Sequence, residues 1–141
     1  MRKGILFIFL IIVILSCRGK LGGHKFDSNL WRHDELVKFQ FDVDQNKTSN
    51  LNLEIRSVYG MPFKLVDLEI TLIDPNGKPT TISKTIGFDE QNLDCTGDFC
   101  DQKVNLFQQI KLLKGKYKLR INHFKKDIDL YGIMEFQISE E

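Results

Sequence analysis

Apolar and polar residues alternate with a period of two over most of the chain after Trp31, the signature of strands that bury one face. Val37-Lys38-Phe39-Gln40-Phe41-Asp42-Val43 alternates without a break, and Leu51-Asn52-Leu53-Glu54-Ile55-Arg56 repeats the pattern. Leu68 to Leu72 forms a third run that stops at Asp74-Pro75-Asn76-Gly77. Proline presets φ in such a turn, and Asn and Gly tolerate left-handed backbone. Thr80–Ile86, rich in β-branched residues, is predicted to pair back across it as a hairpin. A second hairpin is predicted over residues 103–124. There Val104, Leu106, Gln108, Ile110 and Leu112 share one face, Gly115 interrupts, and Tyr117, Leu119 and Ile121 resume the alternation. A last strand spans Ile133 to Ile138, with Met134, Phe136 and Ile138 on one side. About seven or eight short strands with no amphipathic helix predict an all-β fold. The expected architecture is a single antiparallel β-sandwich, immunoglobulin-like or jelly-roll-like.

The first 17 residues follow a different rule. Arg2 and Lys3 precede an apolar run from Gly4 to Leu15, too short to span a bilayer core, which takes about 20 residues. Ile14-Leu15-Ser16-Cys17 resembles the lipobox of bacterial lipoproteins. That resemblance implies diacylglyceryl transfer to the Cys17 thiol, cleavage before Cys17 and acylation of the new N-terminus. Residues 1–16 are thus expected to be a signal peptide, and two or more acyl chains hold a protein stably at a membrane. Arg18, where inner-membrane lipoproteins often carry aspartate, points to the outer membrane. The lack of an acidic run after Cys17 points to its periplasmic face. Residues 17–30, Gly-rich and polar, are expected to be a flexible tether, and residues 31–141 the sandwich domain.

Composition narrows the partners. The chain holds 20 Lys+Arg and 19 Asp+Glu, and loss of Arg2 and Lys3 with the signal leaves the remainder close to neutral. No basic field exists to attract nucleic acid. Eleven Phe residues are best read as core: Phe39, Phe41 and Phe136 fall on inward positions, while Phe63, Phe88 and Phe99 lie near loops or strand ends.

Candidate chemistry is sparse. His24 and His33 precede the first predicted long strand, His123 ends another, and no zinc-ligand spacing joins them. Asp89, Glu90, Asp94, Asp98 and Asp101 crowd the central loop. Carboxylates can hold calcium or flank a glycosidic bond, but these lack the spacing of a calcium loop, and solvated loop acids are the plainer reading. Arg56 lies on a polar strand face, placed to pair with an acid across the sheet. No nucleophile elbow, phosphate loop or dinucleotide fingerprint is present, so no catalytic residue, cofactor or metal ligand is assigned and the chain is expected not to be an enzyme.

With Cys17 acylated, Cys95 and Cys100 remain as an even pair outside the cytoplasm, where thiols tend to oxidise. Four intervening residues rule out a Cys-x-x-Cys redox motif, and no further ligands complete a zinc site. A disulfide between Cys95 and Cys100 is expected, closing a short loop and stabilising it by roughly 2 kcal/mol.

The order of landmarks resembles the gliding-motility lipoprotein H family of Bacteroidetes. Trp31 stands before the first strand, Leu53, Ile55 and Arg56 lead to Tyr59 and Pro62, and Pro75 and Gly77 mark a hairpin. Gly115, Tyr117, Leu119, Ile121 and His123 follow, then Leu130, Gly132 and Ile133. The chain departs from the family pattern in its central loop, with Cys-Thr-Gly-Asp-Phe-Cys where a Gly-x-Trp-Leu-Gly-like stretch is usual. The resemblance implies a non-enzymatic accessory lipoprotein, held by its lipid and associated with envelope proteins of the gliding-motility and type IX secretion machinery. The alternative is a glycan- or ligand-binding sandwich using loop aromatics such as Tyr59, Phe63 and Phe99.

Overall fold

The computed structural model describes residues 19–141; the expected signal peptide and Cys17 lie outside the described residues. Eleven antiparallel strands follow in order: β1 (Lys20–Lys25), β2 (Leu30–Trp31), β3 (Val37–Val43), β4 (Lys47–Val58), β5 (Leu65–Ile73), β6 (Pro79–Gly87), β7 (Asp94–Thr96), β8 (Phe99–Leu112), β9 (Gly115–His123), β10 (Leu130–Tyr131) and β11 (Ile133–Glu140). One sheet has the order β1-β11-β4-β8-β7 and the other β3-β9-β5-β6, with β10 and β2 forming a small ribbon. Eight strands have six residues or more. The expected all-β sandwich is the fold.

The period-two pattern explains the core. Val37, Phe39, Phe41 and Val43 of β3 meet Leu119 and Ile121 of β9, and Val66, Leu68, Ile70 and Leu72 of β5, on the inner face of one sheet. Leu51, Leu53 and Ile55 of β4 and Phe136 and Ile138 of β11 supply the other. Phe88, near a strand end, is also buried. In β11 a bulge between Ile133 and Glu135 turns Ile133 rather than Met134 fully inward.

Two expectations give way. Within the expected tether, residues 17–30, residues 20–30 are not slack: β1 pairs with β11 and covers one edge of the larger sheet, and Phe26 is buried. Glycine misled because it was serving close packing. A Cβ at Gly22 would stand 3.2 Å from the Phe39 side chain of the opposite sheet. The predicted hairpin over residues 103–124 also fails. β8 pairs with β4 and β7, whereas β9 pairs with β3 and β5, so Leu113-Lys114 crosses from one sheet to the other. Alternation within β8 is broken by two bulges opposite Leu51, which bury adjacent Leu106 and Phe107 and leave Gln109 at φ 46°. The strand therefore faces its core differently along its length, and its end feeds the second sheet. By contrast the β5–β6 hairpin forms as expected, with Asp74 Oδ1 accepting the backbone N–H groups of Asn76 and Lys78 and Gly77 at φ 82°.

Gly115 closes the crossover at φ 138°, and a Cβ there would lie 2.7 Å from Pro75 of the β5–β6 turn. Gly115→Ala is expected to cost about 2 kcal/mol through strain and overlap together. Gly77→Ala, left-handed but with open space around it, is expected to cost about 1 kcal/mol. Urea midpoints of the two variants should fall in that order.

Candidate interaction site

The strand directions define two ends of the sandwich. The chain enters at one, where Gly19 accepts the Glu140 backbone N–H. At the far end lie the connections β2–β3, β4–β5, β6–β7 and β9–β10, together with the β7–β8 turn. Backbone hydrogen bonds tie these loops to one another: Val58 N–H to Gly132 O, Tyr59 N–H to Asp98 O, Phe88 N–H to Lys64 O and Phe124 N–H to Asp67 O. Gly132, at φ 100°, admits this approach, since a Cβ there would meet the Val58 side chain at 2.8 Å. Held by this frame, Leu36, Tyr59, Leu65, Phe124, Ile128 and Tyr131 all project into solvent, Tyr59 and Tyr131 each 60% exposed. Of the large exposed apolar side chains among the described residues, only Leu113 lies elsewhere. Apolar side chains scattered singly over a surface are ordinary, whereas a group collected at one end is a candidate contact surface.

The disulfide sits at the same end. Cys95 and Cys100 are bonded across the β7–β8 hairpin, opposite one another in register, with a two-residue turn in which Gly97 takes φ 60°. Around it the loop acids have separate duties. Asp89 accepts the Gln91 N–H, Glu90 pairs with Lys64 at 3.1 Å, and Asp101 takes both forks of Arg56 at 2.8 and 2.9 Å. Among the described residues no three His, Cys, Asp or Glu side chains gather closely enough to hold a metal.

Arg56 thus pairs across the sheet with Asp101, as its polar-face position predicts, and its guanidinium lies 4.2 Å from the centre of the Phe99 ring. The bond to Asp101 raises the Arg56 pKa. The pair borders an open depression of about 550 Å³ on the outer face of the larger sheet. Glu54, Asp94 and Glu135 there stand among Lys20, Arg56 and Lys103, so its charges are mixed rather than convergent. Of the three loop aromatics considered for stacking, only Tyr59 is exposed. Phe63 packs against the core, with Lys125 above its ring, and Phe99 lies beneath Arg56.

The histidines divide by surroundings. His24 lies in β1, its Nε2 3.0 Å from Glu35. His33 places its backbone N–H and its Nδ1 each 2.7 Å from Asp129 Oδ1. That hydrogen bond raises the imidazole pKa, while the His33 backbone and then its side chain lower that of Asp129. His123 is buried edge-on against Trp31, ring centres 4.6 Å apart, and neither ring nitrogen makes a hydrogen bond among the described residues. Burial pushes its pKa down, opposed by the Arg32 backbone, which acts on the ring without reaching hydrogen-bond geometry, and by Asp129.

Sequence reasoning missed the apolar far end, although one signal for it existed. Because Val66, Leu68, Ile70 and Leu72 point inward, Leu65 has to point outward.

The sequence profile of the GldH lipoprotein family matches residues 23–138. A search of curated proteins finds no match. Similar solved structures include dimeric latent PorU from Porphyromonas gingivalis, with 7% identity, TM-score 0.45, and 87% of this chain against 12% of that one. Another is Eiger TNF from S. frugiperda, with 9% identity, TM-score 0.40 and 88% of each chain. A third is the exo-beta-1,3-galactanase of Phanerochaete chrysosporium, with 8% identity, TM-score 0.40, and 86% of this chain against 27% of that one.

An imidazole kept neutral by the fold but free to charge when unfolded makes the unfolded chain bind more protons as pH falls. For His123 the stabilisation is complete above about pH 6.5 and is lost as pH drops toward the lowered folded value. His33, with its raised value, has the opposite sign: its contribution is complete below about pH 6.5 and is lost as pH rises through the folded value. Urea midpoints at pH 7 and pH 5 should therefore differ less in His123→Phe than in the wild type, and more in His33→Asn.

Proposed function

The chain belongs to the GldH lipoprotein family, and from that premise we propose that it is a non-enzymatic accessory lipoprotein of the gliding-motility and type IX secretion envelope machinery. Cys17 carries the lipid, in the outer membrane on its periplasmic side, and the far end of the sandwich meets a protein partner. One observation carries this reading: among the described residues, six of the seven large exposed apolar side chains project from the end opposite Gly19. β4 alone, 12 residues long, spans about 40 Å from one end of the sandwich to the other. A contact surface placed there is held clear of the bilayer and can reach a partner standing in the periplasm. The tied loops favour such a role, because a surface ordered before binding loses little entropy on association.

Crosslinked envelopes provide the test. Wild-type protein is expected to recover motility or secretion components reproducibly, and a Tyr59→Glu/Tyr131→Glu variant at least tenfold less at an unchanged urea midpoint. Equal recovery by both proteins overturns the far end as the contact surface. Recovery of polysaccharide alone overturns the accessory role in favour of glycan binding.

A further inference from the structure

The end of the sandwich where the chain enters has its own chemistry. The crossover from β8 to β9 reads Lys111-Leu112-Leu113-Lys114-Gly115-Lys116-Tyr117-Lys118, and its side chains separate sharply. Leu112 and Tyr117 are buried, whereas Leu113 is 43% exposed and the four lysines all point to solvent. The backbone is fixed in this posture. Leu113 N–H donates to the Tyr117 hydroxyl at 2.9 Å, Lys114 N–H donates to Asn46 Oδ1 at 2.7 Å, and Gly115 rests against Pro75. An apolar side chain is thus held outward on a crossover whose lysines, Lys111, Lys114 and Lys116, are all exposed. Lys78, on the adjoining β5–β6 turn, joins them.

The acids of this end are mostly engaged. Glu140 pairs with Lys47, Glu141 with Lys103, and the Asp74 carboxylate accepts backbone N–H groups of its own turn. Asp42 and Asp44 remain exposed nearby. None of the ion pairs among the described residues uses Lys78, Lys111, Lys114, Lys116 or Lys118.

We infer that this end docks on the anionic bilayer surface, with Leu113 entering the headgroup layer and Lys78, Lys111, Lys114 and Lys116 pairing with lipid phosphates. The inference rests on the reading of Cys17 as the lipid-bearing residue. Cys17 is two residues from Gly19, a reach of at most about 7 Å, so the acylated terminus brings this end to the headgroups. β8 lies three strands from β1 in its sheet, about 14 Å across. The register sets Lys20 level with Asn52 of β4 but Lys111 level with Thr48, about 13 Å further along, so the lysines project past the terminus and the sandwich leans on that corner. Each lysine near an anionic surface strengthens binding about fivefold. Because the lipid makes the contact intramolecular, a weak interaction is enough to set orientation. The sandwich then stands on its basic end with the apolar end directed away from the membrane.

The test uses the mature lipoprotein reconstituted in vesicles of phosphatidylcholine, with or without phosphatidylglycerol. A polarity-sensitive fluorophore is attached at Leu113→Cys or, as the distal control, at Tyr59→Cys, and headgroup spin-labelled lipid serves as quencher. The Leu113 probe is expected to be quenched in anionic vesicles and released by high salt, with the Tyr59 probe unquenched. Lys111→Glu/Lys114→Glu/Lys116→Glu should reduce the quenching more than tenfold while near-ultraviolet circular dichroism stays unchanged. Equal quenching at both sites, none at Leu113, or quenching indifferent to anionic lipid and salt overturns the inference. Retention of the wild-type protein, and release of Cys17→Ser, on alkaline carbonate washing of cell membranes reports the anchor separately. If the wild type is retained but Leu113 is not quenched, the docking fails alone. If the wild type itself is released, both readings fail.

Discussion

The side chain on which the sandwich most depends is Trp31, fully buried, with its indole N–H donating to the Glu35 carbonyl at 2.9 Å. Its ring meets Phe26, Phe136 and His123 at centre-to-centre distances of 5.5, 5.1 and 4.6 Å, the last two edge-on. Those neighbours come from the segment after β1, from β11 in the larger sheet and from β9 in the smaller one. One indole therefore joins the N-terminal segment to both layers. Edge-on aromatic pairs of this kind add about 0.5–1.5 kcal/mol beyond the area they bury. The same packing leaves the His123 ring nitrogens buried and without hydrogen-bond partners among the described residues, so a polar ring serves to complete an aromatic cluster.

Around that hub the fold gives its two ends unlike surfaces. The far end is made of loops cross-tied through backbone groups and carries exposed aromatic and aliphatic side chains. The near end is made of a tight β5–β6 turn and a short crossover, crowded with lysine. Between them the outer face of the larger sheet is a mosaic of compensated charges, with Arg56 and Asp101 at its centre. An exposed pair of this kind contributes little to stability. Its use is to keep that face polar.

Much of this was legible in the chain itself. Strict alternation located β3, β5 and β9 and their inward residues, because a period of two admits one assignment when one face is buried. Asp74 to Gly77 identified its hairpin through turn chemistry, and the two cysteines identified each other. Partner choice was not legible. Nothing local distinguishes a strand that folds back on its neighbour from one that crosses to the opposite sheet, so β8 and β9 were assigned to each other wrongly. The bulges opposite Leu51 hid the facing of β8, and Gly22-Gly23, the first of them placed for close approach to Phe39, made β1 resemble a linker. The apolar end escaped notice because its members come from five separate loops or strand ends and meet only in three dimensions.

The incorporation of β1 into the sheet also determines how the domain would carry load. Tension applied between the N-terminus and the far end runs along the β1 axis, parallel to β11 and across their ladder from Lys20–Ser139 to Lys25–Glu135. In that direction the inter-strand hydrogen bonds are sheared together, not opened one after another as in peeling. Rupture under force is governed by the unfolding rate, and a barrier that requires several bonds to fail at once keeps that rate low. A strand that looked like slack in the chain is thus the part placed to bear a pull.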